Sequence, residues 1–333
     1  MDFSQLIGLA GGYAEARAIQ AAVEIGLFDA LEDSKDAEDV ARTIHCDPRA
    51  TELLLDALVA IGLMAKKGSF YSLTETSAAY LLKSAPKYLG GMIRFDASLW
   101  ECWGGLEAAL RTGKPARPPD VYQGDKAETE RFIGAMDSLV RARGDAEAVL
   151  RYLDDRLDLS EVSELLDVGS GPATYPIAFC RKHVSLRAAI FDLPATLKVT
   201  EGFVRAANLS DRIKLVPGDY RSDAIPGRYQ LAFLSNIIHG EGPEENQRLM
   251  AKLYGSLEKG GSLVIKDHIL DDSRTGPASG AVFSLLMLLT TAQGRCYSFT
   301  EAKGWLEKAG FREIRETRLP APLTSSLVVG VKL

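Results

Sequence analysis

Residues 164–174 read Glu-Leu-Leu-Asp-Val-Gly-Ser-Gly-Pro-Ala-Thr, and no other stretch restricts the fold as tightly. An apolar run ends in an Asp, opens into a glycine-rich turn and passes into a segment of helical composition at 175–182. A buried strand that hands a tight loop to a helix N-terminus is the place where an α/β sheet holds a nucleotide-like ligand. The pattern also occurs as a plain strand–loop–helix connection, so its meaning depends on the segments downstream of it.

Those segments alternate. Candidate strands fall at 165–169, 187–193, 213–218, 231–238 and 262–268, with helical stretches between them. That order implies a mostly parallel sheet with helices on both faces. Two later strands, 313–318 and 326–331, are separated by a loop holding Pro320 and Pro322 and suit an antiparallel hairpin at one edge. Asp192 closes the second strand, 21 residues past Gly171. A carboxylate there is placed to accept both hydroxyls of a ribose, although an Asp also caps helices. Gly218, Asp219 and Tyr220 close the third strand, so all three features lie at carboxyl ends of strands, where open sheets bind ligands. Thr174 stands where the dinucleotide fingerprint has its third glycine, which weakens an NAD reading. A nucleoside without a pyrophosphate, S-adenosylmethionine foremost, fits better.

The first ~100 residues read as helical. Apolar residues share a helix face within 14–25 and again within 48–63, and an acidic first turn opens a short helix at Asp36. Two extended pieces around Gly68 follow, at 64–73. Three helices and a small hairpin form a winged-helix pattern, which often binds DNA. Residues 1–100, however, hold nine Lys and Arg against fourteen Asp and Glu, a balance of −5. A DNA reader needs a basic stripe, so an apolar helical layer used for dimerisation is the better reading. Longer helices over 85–150 carry Trp100, Trp103, Leu106, Phe132, Met136 and Leu139, interrupted by a Pro-rich loop at 113–119.

The 333 residues suit about two domains, and the net charge of −6 argues against non-specific nucleic-acid binding. No apolar run reaches the ~18 residues of a membrane span; 285–289 is the most apolar piece. The N-terminus lacks the basic-then-apolar pattern of a secretion signal. Cys46, Cys102, Cys180 and Cys296 are scattered, as buried thiols in a reducing compartment would be, and a cytoplasmic location is expected. His45 beside Cys46 has no further ligands for a metal.

The fourth strand runs into Phe-Leu-Ser-Asn-Ile-Ile-His-Gly-Glu at 233–241, a surface helix starts at Pro243, and the turn 257–261 leads into Ser-Leu-Val-Ile-Lys-Asp at 262–267. In this order, and with the N-terminal stretches 24–29, 53–58 and 71–74, the chain resembles the S-adenosylmethionine-dependent O-methyltransferases of the plant caffeic-acid and bacterial polyketide-tailoring type. The resemblance covers nearly the whole length. It implies an α/β fold: a Rossmann-like class I methyltransferase domain with a seven-stranded, mostly parallel sheet and antiparallel edge hairpin, preceded by a winged-helix dimerisation domain. The expected boundaries are 1–100 for dimerisation, 101–155 for a helical connector contributing to the substrate pocket, and 156–333 for the catalytic domain.

The resemblance also implies roles. Gly169 matches a glycine beside the methionine moiety, Asp192 the ribose carboxylate, and Asp219 with Tyr220 the adenine contacts. Asp167, Ser170, Gly171, Leu193, Gly218, Ser235 and Asn236 complete the implied cofactor set, Ser235 replacing a Lys of plant members. His239 matches the general base, and Asp267 an acid that orients it. Two departures stand out: Gly240 and Glu241 replace the usual Asp and Trp after the histidine, and a second flanking acid is replaced near Cys296. Alternation along a strand predicts that His268 faces away from Asp267. Trp100, Trp103, Phe132, Met136, Phe283, Met287 and Leu288 are candidate substrate contacts, and together they imply an apolar, ring-shaped, aromatic or polyketide-like acceptor. A phenolic or enolic hydroxyl, no metal and a homodimer formed through the N-terminal domain are expected, with neither nucleic acid nor membrane as partner. The alternatives are a cofactor-binding homologue with hydroxylase or decarboxylase chemistry, a C- or N-methyltransferase, and a winged-helix regulator that senses S-adenosylmethionine.

Overall fold

The computed structural model describes residues 1–119 and 121–333, with the backbone alone at 122 and 123. The chain forms two compact units, Met1–Trp100 with Gly134–Arg143, and Glu101–Ile133 with Gly144–Leu333. Helix Lys126–Arg143 therefore changes unit between Ile133 and Gly134.

In the first unit three helix starts are chemically marked by an Asp. Asp2 and Gln5 form a capping box at the head of Phe3–Glu24. The Asp36 carboxylate accepts the Asp39 N–H at 2.9 Å to begin Ala37–Ile44. Asp47 accepts the Ala50 N–H at 2.8 Å to begin Pro48–Ala60, with Pro48 in the first turn, where its missing N–H costs nothing. Strands β1 (Lys35–Asp36), β2 (Met64–Lys67) and β3 (Phe70–Leu73) make an antiparallel sheet in the order β1-β3-β2. Leu27, Phe28, Val40, Leu55, Leu58 and Tyr71 are buried together beneath it. The first helix starts at Phe3, well before the periodic stretch at 14–25. Its first two-thirds have no buried face, so no core-facing pattern marks them in the sequence.

The second unit is built on a seven-stranded sheet. Its members are β4 (Glu164–Val168), β5 (Arg187–Asp192), β6 (Ile213–Pro217), β7 (Tyr229–Ser235), β8 (Leu257–Asp267), β11 (Arg312–Arg318) and β12 (Ser326–Val331). Two-residue strands β9 (Ile269–Leu270) and β10 (Tyr297–Ser298) pair separately and in parallel. The order is β11-β12-β8-β7-β4-β5-β6, parallel from β8 to β6 and antiparallel across β12 and β11. The sheet thus grows in both directions from β4, and the crevice at the carboxyl end of β4 is its switch point. Leu165, Leu166 and Val168 of β4 are fully buried, as a central parallel strand requires.

Two strand ends differ from expectation. β7 stops at Ser235 rather than at 238. Asn236 there takes a left-handed backbone (φ 57°), which Asn tolerates better than most side chains, and its N–H donates to the Lys266 carbonyl at 2.8 Å. Ile238–Gly240 then forms a single 3-10 turn. β8 begins at Leu257, five residues before the expected start at 262, because Leu257 pairs with Tyr229 and the left-handed Gly260 (φ 83°) lets the strand pass a register shift.

Candidate active site

The glycine loop is shaped by what a side chain would strike. Gly169 has φ 69°, and a Cβ there would stand 2.4 Å from Cδ1 of Ile237. Gly171 (φ 57°) donates its N–H to Oδ2 of Asp192 at 3.0 Å, while its carbonyl accepts the Thr200 hydroxyl at 2.6 Å. The Leu193 N–H donates to the other Asp192 oxygen at 2.7 Å. Asp167, buried beneath the loop, accepts the Ser170 hydroxyl at 2.7 Å through Oδ2. Gly218 donates to the Asp192 carbonyl at 3.0 Å, and Asp219 opens a turn that accepts the N–H groups of Ser222 and Asp223. The ends of β4, β5 and β6 therefore converge as one hydrogen-bonded rim.

Electrostatics mark the same rim. Burial pushes the Asp192 carboxyl up to about 6, against the opposing N–H donors of Gly171 and Leu193. Burial raises Asp167 to about 7, with the Ser170 hydroxyl opposing and the charge of Asp192 adding. Among the described residues, Oδ1 of Asp167, Oγ of Ser235 and Oδ1 of Asn236 are buried oxygens without a protein hydrogen-bond partner. Buried polar atoms are normally satisfied, so this cluster of acceptors suits a ligand rich in amine and hydroxyl donors. The amino group and ribose of S-adenosylmethionine provide those donors, and the residues present fit that cofactor.

His239 lies on the 3-10 turn after β7, and Asp267 is the last residue of neighbouring β8. Their separation, Nδ1 to Oδ1, is 2.7 Å; the Asp267 side chain is fully buried and that of His239 is 13% exposed. Burial alone would raise the Asp267 carboxyl, but the charge and hydrogen bond of His239, with those of His268, outweigh it and hold the group below the ordinary Asp value. The Phe283 ring meets the His239 ring edge-on at 4.9 Å between centroids.

His268 departs from expectation. β8 ends at Asp267, so strict alternation no longer applies one residue later. Its N–H donates to Oδ1 of Asp267 at 2.7 Å, and its ring lies 4.8 Å from Phe283 and 6.3 Å from His239. His268 thus joins the histidine cluster, a residue that sequence reasoning set aside. Glu241, in the sequence only a departure from the family pattern, is buried and accepts the Tyr220 phenol.

The candidate substrate contacts divide between the units. Trp103, Phe132, Phe283 and Met287 belong to the second, and Trp100 and Met136 to the first. Trp100 packs near Tyr13 and beneath the Arg17 guanidinium. Phe283 packs its ring against His239, and Met287 is buried one helical turn further on. A cavity of about 260 Å³ toward the amino ends of β7 and β8, lined by Glu161, Gln230, Glu258 and Ser262 among others, includes none of the site residues. Among the described residues, no three His, Cys, Asp or Glu side chains gather as a metal site, and no helix is long and apolar enough to cross a membrane.

Comparison with known proteins gives this geometry a family. Residues 120–312 match the family model of the O-methyltransferase domain, and residues 7–83 match that of the O-methyltransferase dimerisation domain. The 3-hydroxy-5-methyl-1-naphthoate 3-O-methyltransferase of Streptomyces sahachiroi is 32% identical over 98% of this chain and 94% of its own length. The tetracenomycin polyketide synthesis 8-O-methyl transferase TcmO of Streptomyces glaucescens is also 32% identical, over 95% and 93%. A solved structure of PigF with SAH superposes with a TM-score of 0.89 at 26% identity, covering both chains completely. Further relatives, at 28 and 29% identity, are named for methylation of nitrogen and of carbon. The chain belongs to the S-adenosylmethionine-dependent O-methyltransferase family.

Proposed function

We propose that this enzyme methylates a phenolic or enolic hydroxyl of a small aromatic or polyketide-like acceptor, with His239 as general base. The observation that carries this reading is the 2.7 Å contact between His239 and the fully buried Asp267. S-adenosylmethionine, when bound, supplies a methyl group on a positively charged sulfur that needs little further activation. Gly169, Ser170 and Gly171 hold its methionine end with Asp167, Asp192 with Leu193 the ribose, and Gly218, Asp219 and Tyr220 the adenine; Ser235 and Asn236 add buried acceptors.

Asp267 engages Nδ1 of His239, which leaves Nε2 to take the acceptor's proton and favours the imidazolium that forms. Magnitudes restrict the acceptor. Moving a proton from a phenol (pKa ~10) to a histidine (~6.5) costs about 5 kcal/mol. From an alcohol near water's ~15.7 it costs about 12 kcal/mol. The aromatic acceptors in the names of the two Streptomyces relatives support the same class.

His239→Ala and His239→Gln are expected to lower turnover by ~100-fold or more while leaving S-adenosylmethionine affinity close to that of the parent. Turnover is read by mass spectrometry across a panel of phenols, and fragmentation locates the methyl on oxygen, nitrogen or carbon. Parent-like turnover in both variants would remove His239 from the reaction. In the same reading residues 1–100 pair two copies of the chain, and residues 156–333 hold the cofactor and the base.

A further inference from the structure

Glu241 stands two residues past His239, at the end of the turn that carries it. Its side chain is 8% exposed, yet one oxygen, Oε1, accepts both the Tyr220 phenol at 2.7 Å and the Arg221 Nε–H at 2.8 Å. Its backbone carbonyl accepts the Tyr297 phenol at 2.6 Å and the Asn246 amide at 3.4 Å. One residue is thereby fixed at both ends. The rest of the turn is closed: the Asn246 amide also reaches the Ile238 carbonyl at 2.9 Å, and Gly294 packs so tightly that a Cβ would stand 2.4 Å from the His239 carbonyl oxygen. On the other side, the Lys252 ammonium gathers the carbonyls of Tyr220, Arg221 and Asp223 at 2.7, 3.1 and 2.9 Å. The loop after β6 is thus braced as a unit, and the Glu241 carboxylate is its link to the His239 turn.

We infer that Glu241 is a positioning residue that joins the 218–221 loop to the His239 turn, so that seating the adenine end of the cofactor and aiming the base are one event. This rests on the reading of His239 as base and of Asp219 and Tyr220 as adenine contacts. Without Glu241 a half-buried phenol and a guanidinium lose a shared acceptor, and the loop loses its direct link to the turn, keeping the indirect one through Lys252. A base displaced by ~1 Å can lose ~100-fold in rate, so the link acts on chemistry as well as on binding.

The test compares Glu241→Ala, Glu241→Gln, Tyr220→Phe and the Glu241→Ala/Tyr220→Phe double variant, with His239→Ala in the same series. Calorimetry reads S-adenosylmethionine affinity; kinetics read kcat with both substrates saturating and the acceptor KM; thermal unfolding reads Tm. Glu241→Ala is expected to weaken the cofactor ~10-fold and to lower kcat at saturation ~10-fold, with the acceptor KM within ~2-fold. Glu241→Gln keeps an acceptor oxygen and should recover most of both losses. Tyr220→Phe should show part of each loss, and the double variant should be no worse than Glu241→Ala alone. A lowered Tm with unchanged kcat and cofactor affinity, measured where the variants are folded, would make Glu241 a structural brace only. If Glu241→Ala does not fold, Tyr220→Phe decides by the same two readouts. His239→Ala judges the base assignment separately: an inactive His239→Ala beside a parent-like Glu241→Ala sinks only the link, and an active His239→Ala sinks the underlying reading.

Discussion

Asp192 and Asp167 sit nearly out of water, and folding raises both carboxyls above the ordinary 3.8, to about 6 and about 7. The folded chain therefore holds protons that the unfolded chain has already released, between about pH 4 and 7. Their contribution to stability is complete below 3.8 and is lost as the pH rises through 6 and then 7. For Asp192 the loss is on the order of 3 kcal/mol. Asp267 has the opposite sign: its carboxyl is held low, so its contribution is present above 3.8 and disappears on acidification through the lower folded value. The cofactor-free enzyme is expected to show a Tm that falls between about pH 4 and 7, and Asp192→Asn should reduce that fall to the part due to Asp167. Affinity for S-adenosylhomocysteine should move the other way, weakening below about pH 6 as Asp192 loses its charge, if its proposed role is to accept the ribose hydroxyls. A flat parental Tm profile would contradict the assignment. Asp192 was legible because its distance from the glycine loop is fixed along the chain. The Glu241–Tyr220 contact was not, since it joins positions 21 residues apart on different connections and leaves no periodic trace.

At the level of elements, helix caps were written locally, and so were strand starts apart from that of β8, which its pairing with Tyr229 sets. Asp36, Asp47 and Ser298 each precede a helix and each accept an N–H of its first turn. The end of β7 was not local. Its apolar run continues through Ile237 and Ile238, and only the left-handed turn at Asn236 takes His239 off the strand. That turn is held from a distant segment, where Gly294 faces the His239 carbonyl with no room for a methyl group. Backbone cannot yield as a flexible side chain can, so Gly294→Ala should shift the turn itself. A loss of ~10-fold or more in kcat is expected, together with a several-fold weaker cofactor, because Glu241 carries any shift of the turn to the 218–221 loop. Calorimetry beside steady-state rates separates the two. Parent-like rates would mean that the turn has slack and that the position of His239 is less tightly set than its contacts imply.

At the scale of the whole molecule, the first sixteen residues are exposed although they carry Phe3, Leu6, Ile7, Leu9 and Tyr13, with Phe3 at 78% and Leu9 at 70% exposure. They are helical from Phe3 despite Gly8, Gly11 and Gly12, each of which costs a helix about 1 kcal/mol relative to Ala. An uncovered helix bearing about 3 kcal/mol of such cost should fray, so its persistence calls for a partner surface. The glycines leave open space where a Cβ would be, which allows another backbone to approach closely. The match of residues 7–83 to the dimerisation family, and the acidic balance of residues 1–100, make a second copy joined by apolar contact the occupant that fits best. Light scattering is expected to give a dimer whose stability changes little with added salt, as a seam of apolar contacts would, whereas one of ion pairs would weaken. Leu6→Asp with Leu9→Asp should produce a monomer, and hydrogen exchange across residues 3–16 should rise toward that of unfolded chain in the variant alone. A parent protein that remains monomeric at micromolar concentration, or a variant that still dimerises, would show that this helix is not the seam.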